Sequence, residues 1–290
     1  MSAPPPRAAV FRGRLFAWLQ YILPQHGISR LVLKLTRVRN AWFKNALIRG
    51  FLLMFDVDMR DAVEIDPLRY PSFNEFFTRA LRPETRPLAP DAGAIASPVD
   101  GTLSECGGID GGLLLQAKGR LYTLADLLAG QPAARRFEGG SFATIYLAPF
   151  NYHRIHMPLR GRLAETWYVP GRLFSVNALT ARFVPRLFAR NERIVTLFDT
   201  EAGAFALVMV GALNVGGLAT VWAGDIAPAA RRVITQLPPQ ALTLEKGAEL
   251  GRFNMGSTVI LLFEPKRAHW LANMRAGLAV RLGETIGVLE

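Results

Sequence analysis

From Gly203 to Gly224 the chain runs for twenty-two residues without a charged side chain. A stretch of that kind has two physical solutions. About twenty apolar residues can cross a bilayer as a helix, or the segment can fold back on itself inside a protein core. Gly203, Gly211, Gly216, Gly217 and Gly224 interrupt this one, Asn214 sits in its middle, and its apolar residues are mostly β-branched or flanked by glycine. Those features disfavour a membrane-spanning helix. They predict two buried strands, about Phe205–Val210 and Leu213–Trp222, joined by a tight turn.

Other short apolar runs share this texture. Leu113–Gln116, Ser141–Leu147, Gly161–Val169, Ile194–Phe198 and Thr258–Phe263 alternate with glycine-rich turns, and a short helix is expected at about Thr123–Leu128 ahead of Gly130. Closely spaced strands with few long helices imply a mainly antiparallel β core.

The N-terminal part reads differently. Val10, Phe11, Leu15, Trp18, Leu19 and Ile22 recur at three- and four-residue spacing, with Arg12 and Arg14 off that face. Leu31–Val38 and Ala41–Phe55 continue the pattern. Ser72-Phe73-Asn74-Glu75 has the form of a reciprocal helix cap, and prolines at 83, 87 and 90 mark a crossing into the β region. The fold class is therefore α+β, with N-terminal amphipathic helices followed by a mainly antiparallel β core. A helical, membrane-associating region with its linker is expected over 1–90, and a β-rich catalytic domain over 91–290.

Charge is concentrated in the same N-terminal part. Arg7, Arg12, Arg14, Arg30, Lys34, Arg37, Arg39, Lys44 and Arg49 all precede the first acidic residue, Asp56, in a chain of net charge +11. Such a block favours a polyanion. Tryptophan and phenylalanine on one face with lysine and arginine on the other suits a helix lying in a membrane interface; the competing reading is a bundle whose apolar stripe packs on the main domain. A single cysteine, Cys106, excludes an intrachain disulfide and a cysteine-based zinc site. No apolar segment followed by a small-residue cleavage site opens the chain, so a place on the cytoplasmic side is expected.

Three groups of residues could carry chemistry. At Gly256-Ser257 a residue without a Cβ, whose carbonyl can be approached closely, is followed by a hydroxyl that could attack that carbonyl; a turn entering a strand is the plainer reading. Two of four histidines lie in Tyr152-His153-Arg154-Ile155-His156-Met157-Pro158, and histidine exchanges protons best near neutral pH. With no cysteine or evident carboxylate partner, the pair does not suggest a metal. Asp100, in Pro98-Val99-Asp100-Gly101, is either a turn residue or a carboxylate that orients a histidine. Ser257 as nucleophile, His156 as base and Asp100 behind it make a serine-activation set. A Ser-His-Asp lipid hydrolase would use the same parts without self-cleavage, but the G-x-S-x-G elbow is absent.

Taken together, these motifs, with Gln116-Ala117-Lys118-Gly119, Leu173-Phe174-Ser175-Val176-Asn177, Phe188-Ala189-Arg190-Asn191-Glu192-Arg193, Val221-Trp222-Ala223-Gly224 and Gly251-Arg252-Phe253-Asn254-Met255-Gly256-Ser257-Thr258, resemble the bacterial, prokaryotic type I phosphatidylserine decarboxylases from about Ser72 onward. Met255 stands where that family commonly has leucine, and Asn151 where it often has aspartate. The resemblance implies a proenzyme that cuts itself between Gly256 and Ser257 into a large chain, 1–256, and a small chain, 257–290, beginning with a pyruvoyl group made from Ser257. No external cofactor or metal is implied. Phosphatidylserine would form a Schiff base with that group, lose carbon dioxide and leave as phosphatidylethanolamine. His156 and Asp100 would serve the cut, and His153 would donate the proton after decarboxylation. The implied partners are phosphatidylserine, an anionic membrane surface at the cytoplasmic face and the two chains of one precursor, with room for a homo-oligomer and no role for nucleic acid.

Overall fold

In a computed structural model the described residues are 7–117, 120–213, 217–226, 234–236, 242–254 and 257–290, with 7–14 and 234–236 as backbone only. The strand Ser257–Phe263 is buried at every position. It lies between Gly203–Val210 and Ser141–Leu147, antiparallel to both. Around these three a nine-stranded sheet extends through Arg193–Thr200 and Gly161–Val169 on one side and through Gly101–Gly108 and Ala279–Val280 on the other. Cross-strand register places Phe198 on Phe205 and Phe205 on Phe263, with ring centroids 5.1 and 5.8 Å apart. Each buried ring of this kind contributes about 1.5–3 kcal/mol relative to exposure.

Ser141–Leu147 and Gly161–Val169 form strands with the expected bounds. The expected pairing inside the uncharged stretch is corrected. Gly203–Val210 is a strand of the main sheet, but the second strand is only Leu218–Thr220 and belongs to a four-stranded sheet with Gly224–Ile226, Glu249–Phe253 and Arg154–His156. The chain leaves the main sheet at Gly211, whose N–H donates to Glu192 O at 2.8 Å, while Trp222 sits in a turn. Among the described residues no helix is long and apolar enough to cross a membrane.

Three helices precede the sheets: α1 (Arg7–Ile22), α2 (Gln25–Thr36) and α3 (Ala41–Met54). Asn40 caps α3, its side chain accepting from Phe43 N at 3.1 Å. In α2 the buried residues are Gln25, Ser29 and Thr36, whereas Leu31 and Leu35 are exposed. In α1, Ala17 and Gln20 are buried while Leu15, Trp18, Leu19 and Ile22 face outward. Polar contacts dock this face: Gln20 Oε1 accepts from Ser175 N (2.7 Å) and Gln25 Oε1 from Leu173 N (2.9 Å). Among the described side chains, Leu15, Trp18, Leu19 and Ile22 of the α1 stripe and Leu31 and Leu35 of α2 therefore do not pack on the main domain; the side chains of Val10 and Phe11 lie outside the described residues. Helix α3 does both, exposing Trp42 and Leu53 and burying Ile48 and Phe51 in a satellite core with Phe73, Phe76 and Phe77.

Those last three residues come from a short fourth helix, α4 (Phe73–Phe77), capped by Ser72, whose side chain accepts from Glu75 N at 3.2 Å. The reciprocal half of the expected cap is replaced by another contact. The Glu75 carboxylate accepts from Arg39 at 3.2 Å.

Candidate active site

Ser257, Asp100 and the histidine segment converge on one end of the main sheet because of strand register. Thr102 lies opposite Tyr146, which lies opposite Thr258, which lies opposite Val210. Asp100 precedes the first strand of this row, and Ser257 begins the third. Gly101 permits the close approach: a Cβ there would lie 2.6 Å from Tyr146 O.

From Leu147, paired with Ser257, the chain leaves the sheet and returns at His153, whose carbonyl accepts from Phe253 N at 3.0 Å. The segments 147–153 and 253–257 are thus joined at both ends. In the strand that leads into the second segment, Gly251 lets Leu218–Thr220 pack closely, since a Cβ there would meet Ala219 O at 2.3 Å. Gly256 of the expected cleavage site, with Met255, lies outside the described residues, as do Lys118 and Gly119.

His153 is fully buried, its ring 4.1 Å from that of Phe77. Its Nδ1–H donates to Asn151 O at 2.8 Å, which sets the tautomer and leaves Nε2 as an acceptor. That Nε2, the Ser257 Oγ and the Thr258 Oγ1 are buried without a hydrogen-bond partner among the described residues. Burial lowers the His153 pKa to about 3, against the pull of the Asn151 carbonyl and with a further push from Arg79. The ring is therefore neutral at physiological pH.

His156 is held differently. Nδ1–H donates to Gly247 O at 2.7 Å, and Nε2 accepts from the Tyr152 hydroxyl at 3.0 Å. Burial lowers its pKa, opposed by the Gly247 carbonyl and the charges of Glu249 and Asp100. The Asp100 carboxylate is gripped by Arg86, Nε to Oδ1 at 2.9 Å and a terminal nitrogen to Oδ2 at 2.6 Å, and Oδ1 also accepts from Leu282 N at 2.8 Å. Arg86 reaches Asp61 as well, at 2.6 Å. Asp100 and His156 are adjacent through the backbone, His156 N donating to Pro98 O at 2.9 Å. Their side chains each take other partners, and the Asp100 charge bears on His156 only by opposing the fall in its pKa. Sequence reading missed Arg86, read as part of a proline-marked linker, and Tyr152, which stood in the histidine motif without a role. Among the described residues no group of three or more His, Cys, Asp or Glu side chains is placed to hold a metal ion.

A cavity of ≈ 310 Å³ opens beside this end of the sheet. Tyr146, Phe77, Pro149 and Ala212 line it from the core, and Phe51 and Met54 from α3. A second, almost wholly apolar groove of ≈ 370 Å³ between α2 and α3 shares Phe51 and Met54 with it.

The sequence profile of the family described as Phosphatidylserine decarboxylase matches residues 73–288, from α4 through every site residue above. The chain belongs to the phosphatidylserine decarboxylase family. A second profile, described as PSD, matches residues 15–56, the segment of the three N-terminal helices. Similar proteins include the phosphatidylserine decarboxylase proenzymes of Methylococcus capsulatus (50% identical, covering 94% of this chain and 96% of that one), Pseudomonas fluorescens (51%, 95% and 97%) and Bordetella pertussis (51%, 96% and 95%).

Proposed function

We propose that this chain is a phosphatidylserine decarboxylase proenzyme that cuts itself between Gly256 and Ser257 and then converts phosphatidylserine to phosphatidylethanolamine. The observation that carries the reading is a pair of buried groups without a hydrogen-bond partner among the described residues, Ser257 Oγ and His153 Nε2, in a chain half identical to named proenzymes. Polar atoms buried without partners are costly, and a nucleophile and a base are groups for which that cost has a use. The Ser-His-Asp hydrolase alternative finds no support among these relatives.

In maturation Ser257 Oγ attacks the Gly256 carbonyl carbon. The peptide C–N bond breaks, an ester forms, and the hydroxyl proton ends on the freed amine. Elimination and hydrolysis then leave a small chain, 257–290, blocked by a pyruvoyl group, with loss of ammonia. Ser257 fits this origin, being buried at a strand start one residue before Thr258, whose cross-strand partner Tyr146 lines the cavity. The pyruvoyl group supplies a carbonyl that takes up the electrons freed when carbon dioxide leaves, so no external cofactor is called for. His153 relays the proton to the α-carbon through Nε2, which is neutral at rest and takes that proton from solvent in each turnover; the contact of its ring with the cavity-lining Phe77 supports this placement.

His156 serves as base on Ser257 with Asp100 behind it, provided its Nε2 exchanges Tyr152 for the serine. A second reading rests on one observation, that the free acceptor is His153 Nε2 and not His156 Nε2. It gives both proton transfers to His153 and makes His156 a positioning residue. His156→Ala and His153→Ala separate the two. On the first reading only His156→Ala accumulates uncut protein, and cut His153→Ala loses turnover by about a hundredfold or more. On the second, His153→Ala also stays uncut.

The outward apolar faces of α1, α2 and α3, with basic residues among them, suit a peripheral seat on anionic lipid at the cytoplasmic face. Acyl chains would enter along the α2–α3 groove, which joins the cavity at Phe51 and Met54. The activity test is incubation of the cut protein with detergent-dispersed phosphatidylserine. Carbon dioxide and phosphatidylethanolamine are expected; release of fatty acid or free serine instead would mean a hydrolase.

A further inference from the structure

Every hydrogen-bonding group of Asn254, two residues ahead of the proposed cleavage junction, is engaged. Its N–H donates to Gly217 O at 3.1 Å. Its carbonyl oxygen and Oδ1 both accept from Asn74 Nδ2, at 3.4 and 3.2 Å. Its own Nδ2 donates to Asp225 Oδ1 at 3.3 Å. Asn254 and Asn74 are both buried, at 3% and 8% exposure. The other Asp225 oxygen takes Arg37, just beyond α2, at 2.6 Å. One residue thus ties together α4, the hairpin of Leu218–Thr220 and Gly224–Ile226, and the end of α2.

We propose that Asn254 is a positioning residue for maturation: its clamp between Asn74 and Asp225 sets the direction in which the chain enters the Gly256 junction, and Asp225 carries that clamp out to Arg37. The inference rests on the self-cutting reading above. The acyl shift needs Ser257 Oγ about 3–3.5 Å from the Gly256 carbonyl carbon before the new C–O bond can form and the C–N bond break, and a misplacement of about 1 Å costs on the order of a hundredfold. Ser257 is fixed by its pairing with Leu147. The approach from the other side is fixed at Phe253, paired with the His153 carbonyl, and at Asn254. An amide suits position 254 because it must accept from Asn74 and donate to Asp225 at once. A carboxylate there would still accept from Asn74 but would face the Asp225 carboxylate with no proton between them.

The test follows the cut in a cell-free translation, as the fraction of small chain on a denaturing gel against time. The wild-type chain, Ser257→Ala, Asn254→Asp, and Asn254→Asp combined with Asp225→Asn are compared. Asn254→Asp is expected to cut about ten- to a hundredfold more slowly. Adding Asp225→Asn restores an amide donor opposite the new carboxylate and should bring the rate back to within about threefold of wild type. The exchange would also restore a merely stabilising contact, so the discriminating result is a slowed cut by Asn254→Asp in a chain whose melting midpoint is unchanged. Melting midpoints of the same substitutions in the uncut Ser257→Ala chain check that the fold survives. Wild-type cutting by Asn254→Asp overturns the proposal, as does a slowed cut that Asp225→Asn fails to restore in a chain that melts normally. A wild-type chain that stays whole, migrating with Ser257→Ala, overturns the self-cutting reading itself.

Discussion

Replacing His153 with glutamine in an uncut Ser257→Ala background isolates the energetic consequence of burying that ring. Burial lowers its pKa from 6.5 to about 3, with Arg79 acting in the same direction and the Asn151 carbonyl against it. Below pH 6.5 the unfolded chain therefore takes up a proton that the folded chain refuses until the pH nears 3. Stability contributed at this site is present above 6.5 and lost as the pH falls through that window, by up to about 1.4 kcal/mol per pH unit. Between pH 6.5 and 4.5 the loss is about 2–3 kcal/mol, a large part of the roughly 5–15 kcal/mol that holds a typical domain together. Other carboxylates and histidines titrate over the same range, so the informative quantity is the difference between two chains that share them. Urea unfolding at intervals from pH 7.5 to 4.5 gives that difference. His153→Gln should be the less stable chain at pH 7.5, having lost the Nδ1–H to Asn151 contact. By pH 4.5 that disadvantage should shrink or reverse by about 2 kcal/mol. A difference that stays constant across the range would show that the ring titrates normally, and would remove the reason for treating Nε2 as a neutral acceptor.

Arg86→Met strips Asp100 of its guanidinium partner and leaves Leu282 N, at a cost of about 3–5 kcal/mol for a mostly buried pair. The melting midpoint should fall and the cut should slow; an unchanged midpoint would mean the pair is idle. Asp100→Asn keeps the shape but removes a charge that favours protonated His156, so slower cutting is expected on a gel time course, and unchanged kinetics would take Asp100 out of maturation. Trp18→Ala with Trp42→Ala removes two exposed rings, 60% and 80% accessible. Binding to anionic vesicles in a flotation assay should weaken by on the order of tenfold per ring and fall further with salt, while equal binding would refute an interfacial role for these faces.

How much of this was legible in the sequence differs from element to element. Ser141–Leu147 and Gly161–Val169 were readable as strands because their residues are β-branched, aromatic or apolar between glycine-bearing turns. Leu213–Trp222 was misjudged because an uncharged, glycine-interrupted run looks the same whether it stays in one sheet or crosses to another, and only the contact of Gly211 with Glu192 decides. The stripe on α1 and α2 was visible, but its direction was not. Periodicity gives a face, and here Gln20, Gln25 and Ser29 take the inner side. Ser257, Asp100 and both histidines could be picked out by residue type and motif. Their partners could not, since Arg86 wins Asp100 and Tyr152 wins His156 through tertiary placement that no local pattern encodes.

Most directly, the central claim is tested by the masses of the purified chains under denaturing conditions, wild type beside Ser257→Ala. The account requires two wild-type fragments, 1–256 and 257–290, the smaller one with no free α-amine and with a carbonyl that reacts with hydrazine, and a single intact Ser257→Ala chain. One intact wild-type chain that nevertheless forms phosphatidylethanolamine would contradict it.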